Sequence, residues 1–251
     1  MPTTLGGVAR LLVVVPSDTD PPARLGEWLR DAGLDLDERH LDAGDDLPSE
    51  LTGHDGLLVL GGPQSWVDGD SSPDAVRGLL RQAIDRDVPT LAVCLGAQLL
   101  AQAGGGSVRV GVDGPEVGAG LVAKRDAADA DPVFGPLPLS PDVIQWHHDE
   151  IDRLPAGAVL LASNPRCPNQ ALRVGRRVYG VQFHIETTPA IVRAWAENDP
   201  VGVAATPFDA GTLAARAAAV HDDLAEVWAP FARRFAELVQ GRRPAAGLTL
   251  V

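Results

Sequence analysis

The chain has 251 residues, 45% of them hydrophobic and 22% charged, and a formal net charge of −13. That length accommodates one large α/β domain and is short for two full ones, and so acidic a chain excludes a nucleic-acid-binding surface, which needs clustered Lys and Arg. Two cysteines at unrelated positions form no disulfide framework, and no apolar run reaches membrane-spanning length, so a cytoplasmic protein with neither a nucleic-acid nor a membrane partner is expected.

Leu11 to Val15 is apolar, ends at Pro16, and reads as a first buried strand rather than a leader. Residues 22–32 predict a helix with Leu25, Trp28 and Leu29 on one face, and residues 34–40 alternate as a second strand. A continuous buried strand over 55–60 ends in Gly61-Gly62-Pro63. Val76, Leu79, Leu80 and Ala83 give helical spacing within 72–86. Residues 88–93 form the next strand, and the helix after it is stopped by Gly104-Gly105-Gly106. Strand and helix repeated in this way imply a mostly parallel central sheet with helices on both faces and a site at the carboxyl ends of the strands.

From about 105 to 180 shorter strands and turns predict a small antiparallel addition at the sheet edge. Residues 187–198 read as helix, 200–207 as loop, and 210–240 as a long alanine-rich helix that Pro230 should kink or break. The apolar stripe Leu213, Val220, Leu224, Val227, Trp228, Phe231, Phe235 and Leu238 fits packing on the chain's own core rather than a dimer face. The expected division is a domain over 1–198 with a helical C-terminal extension over 199–251, loosely ordered from 242 onward.

The chemistry centres on Cys94. The run Pro89-Thr-Leu-Ala-Val-Cys94-Leu-Gly-Ala-Gln98 begins as strand and continues as helix, with the switch at the cysteine. A nucleophile on such an elbow is thrust above the sheet edge, needs small neighbours such as Ala92 and Gly96, and faces a helix N-terminus that favours thiolate. The alternative is a buried structural thiol. Cys167, in a turn-like stretch with no helix after it, reads as structural or incidental. Downstream, Tyr179-Gly-Val-Gln-Phe-His184-Ile-Glu186 places a histidine and a glutamate two residues apart, on one side of a strand if extended. That pattern suits a Cys–His–carboxylate triad, in which His184 moves the thiol proton and Glu186 orients the imidazole. It also suits an ion pair or a metal site, but nothing at zinc-site spacing accompanies it, so no metal is expected. The backbone N–H groups of Leu95 and Gly62 are the candidate oxyanion donors, although a Gly-Gly-Pro turn also closes strands with no such role. Gln145-Trp-His147-His148-Asp149-Glu150 looks like a strand end entering a site, or else a solvated turn capped by its Asp. If extended, His147 and His148 point oppositely, so only one of them faces the site.

Cys94-Leu-Gly-Ala-Gln98, Gly180-Val-Gln-Phe-His-Ile-Glu186 and Leu60-Gly-Gly-Pro63, in this order and spacing, resemble the class I, triad-type glutamine amidotransferases. Within them the chain is similar to stand-alone proteins related to the amidotransferase domain of GMP synthase, over roughly residues 8–190. Ala92 stands where many members carry glycine and Ile185 where most carry proline, and neither departure removes a reacting group. The resemblance implies a flavodoxin-like fold and a substrate-binding role for Gln98. It also implies that the His147, His148 and Asp149 segment contacts the glutamine backbone, with an acidic side chain receiving the α-ammonium. No Gly-x-x-x-x-Gly-Lys-Ser/Thr loop and no Ser-Gly-Gly pyrophosphatase-type loop is present.

The expected activity is therefore cysteine-dependent hydrolysis of glutamine through a γ-glutamyl thioester, without a cofactor, yielding ammonia for a synthase subunit in trans. The alternatives are a stand-alone γ-glutamyl hydrolase acting on another γ-glutamyl amide, a non-catalytic regulatory member, and a cysteine hydratase or deglycase independent of His184.

Overall fold

Strand β1 (Arg10–Val15) shows how the chain sorts its core. Its side chains alternate between two apolar layers: Leu11, Val13 and Val15 enter one, Leu12 and Val14 the other. Strand β3 (Gly56–Val59) divides likewise, Leu58 to the first layer and Leu57 and Val59 to the second. A strand buried on both faces needs helices above and below. The computed structural model, which describes residues 7–65 and 74–244, supplies them. On the first side lie α1 (Ala23–Asp31), through Leu25 and Leu29, and α6 (Ala210–Val239), through Trp228, Phe231 and Phe235. On the second lie α2 (Asp74–Arg86) and α3 (Leu95–Ala103), through Val76, Leu79, Leu80, Leu99 and Leu100. Residues 72–73 of the expected second helix and 245–251 of the expected loose tail lie outside the described residues.

The remaining strands are β2 (Asp35–His40), β4 (Thr90–Val93), β5 (Ser107–Val110), β6 (Glu116–Leu121), β7 (Ala123–Lys124), β8 (Asp142–His147), β9 (Asp149–Arg153), β10 (Val159–Ser163), β11 (Ala171–Val174) and β12 (Val178–Val181). Among the described residues the main sheet runs β2-β1-β3-β4-β12-β11-β10-β7. From β2 to β12 the pairings are parallel, and from β12 to β7 antiparallel. The parallel part has the 2-1-3-4-5 order of flavodoxin-like sheets. The pairs β5–β9 and β6–β8 form two small antiparallel ribbons beside it. The α/β class and the antiparallel addition are as the sequence predicts.

Three local expectations need correction. Helix α6 continues through Pro230. An interior proline costs about 3 kcal/mol, whereas burying Trp228, Phe231 and Phe235 completely contributes about 1.5–3 kcal/mol for each such side chain. Within the expected loop over 200–207 a short helix forms, α5 (Pro200–Ala204), because Asp199 caps it by accepting from Gly202 N at 2.8 Å and Pro200 sits at its first position. Finally, His184 and Glu186 are not on a strand. Strand β12 ends at Val181, and His184 makes only an isolated antiparallel bridge with Ile144 of β8. Helix α4 (Pro189–Asn198) follows, capped by Thr188. No helix among the described residues is long and apolar enough to cross a membrane.

Two glycines offer a paired test of packing. A Cβ on Gly96 would stand 2.4 Å from the Val59 carbonyl oxygen, whereas one on Gly78, within α2, would meet nothing within 4 Å. Gly96→Ala should cost about 1–3 kcal/mol, and Gly78→Ala should gain up to about 1 kcal/mol. Urea unfolding of the two variants checks both signs.

Candidate active site

Four neighbouring parallel strands, β1, β3, β4 and β12, deliver their carboxyl ends to one cavity, which is where an open α/β sheet leaves a crevice. The cavity has a volume of about 510 Å³ and includes Thr19 and Asp20 after β1, Gly62 after β3, Cys94 after β4, and Trp146 to Asp149 from the β8–β9 corner. Trp195 and Asp199, on and just after α4, close the opposite side.

Cys94 stands between β4 and α3 with φ 50° and ψ −110°, a conformation rare for any residue with a side chain. It is held there from both directions. Its N–H donates to Val181 O at 2.7 Å, and its carbonyl accepts from Gln98 N at 3.0 Å, the first bond of the helix. Gly96 lies against the β3 backbone, and Ala92 is fully buried between β3 and β12, as the elbow reading requires. The sulfur is nearly buried and has two soft contacts, 3.7 Å to Trp146 O and 3.8 Å from Gln182 Nε2. Leu95 begins α3, so its N–H is one of the four that a helix leaves unsatisfied.

His184 is 1% exposed and its Nδ1 donates to Glu186 Oε1 at 2.6 Å. The other Glu186 oxygen accepts from Ile185 N at 2.9 Å. Burial alone would push the imidazole down, yet the Glu186 carboxylate and the adjacent Cys94 sulfur outweigh it and hold His184 well above its ordinary value. Nε2 is buried with no hydrogen-bond partner. The ring also lies 4.7 Å from that of Trp195. Ion pairing of His184 with Glu186 is therefore present although the strand that was to align them is not.

The other predicted residues converge with different roles. Gln98 lines the cavity, but its Nε2 already donates to Asp149 O at 3.0 Å and Gln182 Oε1 at 3.3 Å. Of the two histidines, His148 stands half-exposed at the mouth, 2.8 Å from Asp199. The ring of His147 is committed elsewhere, to Asp149 O and Glu116. Asp149 is buried and accepts from Ser65 Oγ, so it is not a solvated turn residue. A Cβ on Gly62 would run into Gln64 and Leu95, and one on Gly61 would meet Asp20, His184 and Cys94, so both glycines admit close approach to the elbow. Cys167 is buried far along the chain, and burial pushes its thiol up to about 12, with Glu116 and Glu150 adding to the effect.

Sequence reasoning missed Asp20, Gln182, Trp195 and Asp199. Burial raises the Asp20 carboxyl above its ordinary value against the pull of His184, and Thr19 Oγ1 donates to it at 2.6 Å. Only Gln182 carried a signal, its place two residues before His184. The others reach the cavity from the ends of elements distant in sequence.

With the sheet and cavity in view, comparison gives the class. The chain matches the glutamine amidotransferase class-I family over residues 27–194 and belongs to it, a family of amide hydrolases acting on glutamine. Among its relatives, the glutamine-hydrolysing GMP synthase of Ectopseudomonas mendocina is 39% identical over 146 residues, which are 53% of this chain and 25% of that protein. The chain thus spans about a quarter of the length of that relative. A glutamine amidotransferase-like protein of Salmonella typhimurium is 30% identical over 177 residues, 68% of this chain and 73% of that one. In fold, a glutamine amidotransferase structure from Thermotoga maritima superposes with a TM-score of 0.81 at 24% identity, covering 92% of this chain and 100% of the other.

The electrostatics of His184 can be tested directly. In Glu186→Gln the opposing burial remains and the carboxylate is gone, so the imidazole should lose its proton at lower pH than in the wild type. Titration of the ring by NMR measures this, and an unchanged midpoint would mean that Cys94 alone sets it.

Proposed function

We propose that the chain hydrolyses the γ-glutamyl amide of glutamine through a γ-glutamyl thioester on Cys94 and passes ammonia to a synthase on a separate chain. The observation that carries this reading is the buried His184, tied by Nδ1 to Glu186 at 2.6 Å, with Nε2 left unbonded and the Cys94 sulfur beside it. His184 takes the proton from Cys94 Sγ, and the sulfur attacks the amide carbon. The N–H groups of Gly62 and Leu95 hold the oxyanion. As the C–N bond breaks, His184 gives its proton to the leaving amine and ammonia departs. Water, deprotonated by the same nitrogen, then releases glutamate and restores the thiol. Glu186 keeps the imidazole oriented and balances its charge through both steps.

Asp149 is assigned to the substrate's α-ammonium and His148 to the mouth of the cavity. Gln98 and His147 support the wall behind Asp149, since both bond to its carbonyl. No cofactor enters these steps. A synthase in trans is supported by the chain's matching only a quarter of a GMP synthase. The same proposal takes residues 1–198 as the amidotransferase unit, 199–251 as its helical extension, and the cytoplasm as its compartment.

One observation favours a second reading. A cavity of about 510 Å³ lies in the range that holds drug-sized ligands, which would admit a γ-glutamyl conjugate larger than glutamine. Glutamate release from glutamine and from a panel of γ-glutamyl amides separates the two. Slow turnover confined to glutamine is expected of a subunit lacking its synthase, and rapid turnover of a larger amide would make the chain a free-standing hydrolase. Cys94→Ser and His184→Ala should each lower kcat by about 10³-fold or more; undiminished turnover in His184→Ala would return the chain to the hydratase or deglycase class.

A further inference from the structure

Behind the cavity wall, three buried residues from separate parts of the chain bring different donor atoms together: Glu116 of β6, His147 of β8 and Cys167 of the β10–β11 connection. One carboxylate oxygen, one ring nitrogen and the sulfur all lie within 4.8 Å of one another. We propose that this cluster is a binding site for a borderline-soft divalent transition metal of the zinc class, distinct from the Cys94 site and independent of the function proposed for it.

Hydrogen-bond accounting points to a cation at this place. Nδ1 of His147 lies 2.9 Å from the Asp149 carbonyl, which can only accept, so Nδ1 carries a hydrogen. In the neutral ring Nε2 is then a bare lone pair, and it lies 3.1 Å from Glu116 Oε2, a second acceptor. Two acceptors face each other at that distance only with a positive charge between them. A proton can serve, but the neighbouring thiol is what a metal adds a reason for: Cys167 Sγ has no hydrogen-bond partner among the described residues. A histidine whose other nitrogen donates to a backbone carbonyl is also the usual arrangement of a metal ligand.

The surroundings hold the donors as a metal site requires. Asn164 Oδ1 accepts from the Cys167 N–H at 2.7 Å, while its Nδ2 donates to Glu116 Oε1 at 2.8 Å. Gln170 Nε2 donates to Glu116 Oε2 at 2.8 Å, and Gln145 Nε2 donates to Gln170 Oε1 at 3.1 Å. Gln145 Oε1 is buried with no partner, a further oxygen in the same polar pocket. Sulfur, imidazole and carboxylate together suit zinc or cobalt and not calcium or magnesium. With a metal–sulfur bond of about 2.3 Å and metal–nitrogen or –oxygen bonds of about 2.0–2.1 Å, ligand atoms stand about 3.3–3.8 Å apart. The sulfur must therefore move inward by about 1 Å at most, on a connecting loop rather than a strand. On binding, the thiol proton leaves to solvent and the sulfur becomes a thiolate ligand. Since His147 also bonds the Asp149 carbonyl that Gln98 holds, the ion would stiffen the wall of the Cys94 cavity.

The test is titration of chelator-treated protein with Co²⁺, read by the ultraviolet thiolate-to-cobalt absorbance band and by the shift in Tm. Wild type and Cys94→Ser should both show a band saturating at one equivalent, and Cys167→Ser should show none. No band in the wild type, or a band lost in Cys94→Ser and kept in Cys167→Ser, would overturn the proposal. If Cys167→Ser does not fold, Glu116→Gln decides: it keeps the sulfur, so its band should remain while the affinity falls at least ten-fold, and an undiminished affinity would remove Glu116 from the site.

Discussion

The backbone of Cys94 is the constraint on which the site depends. A side-chain-bearing residue at φ 50° stores strain of about 1–3 kcal/mol, which persists only when the surroundings leave no alternative. Here β12 takes its N–H, the first turn of α3 takes its carbonyl, and Gly96 lets that helix sit directly on β3. The strain lifts the sulfur off the sheet edge into the crevice, next to the N–H of Leu95. A larger residue at 96 would push the helix away and relax the elbow.

What meets the sulfur comes from the other end of the sheet. The chain leaves β12 at Gln182, whose N–H turns to Gln170 O at 2.8 Å, and His184 is then caught by Ile144 of β8 through paired backbone bonds of 2.8 and 3.2 Å. The histidine thus arrives from a different ribbon than the cysteine. Full burial would leave its imidazole neutral, and the Glu186 carboxylate reverses that. The same β8 runs on to His147, so one strand both docks His184 and supplies a donor to the Glu116 and Cys167 cluster.

Local pattern made much of this legible. Apolar strands, helical spacing, and small residues around Cys94 are consequences of packing that the sequence must satisfy. The proximity of His184 to Glu186 was legible too, though for a reason that proved incomplete, since two residues on a bend can meet as readily as two on a strand. Pro230 misled because one lost hydrogen bond weighs little against three buried aromatic rings. Asp20, Trp195 and Asp199 were invisible because their neighbours in space are 75 to 180 residues away in sequence. Cys167 looked incidental for the same reason: Glu116 and His147 approach it only once β6, β8 and the β10–β11 loop have folded together.

The most direct measurement is mass-spectrometric mapping of covalent labelling by an electrophilic glutamine analogue, one with a diazoketone in place of the side-chain amide. Such a reagent needs both a pocket that recognises the γ-glutamyl group and a nucleophilic sulfur aligned with it. Stoichiometric labelling confined to Cys94, prevented by excess glutamine and slowed in Glu186→Gln, is the expected result. A protein that leaves Cys94 unlabelled, or that reacts equally well without His184, would contradict the assignment of Cys94, His184 and Glu186 as one catalytic unit.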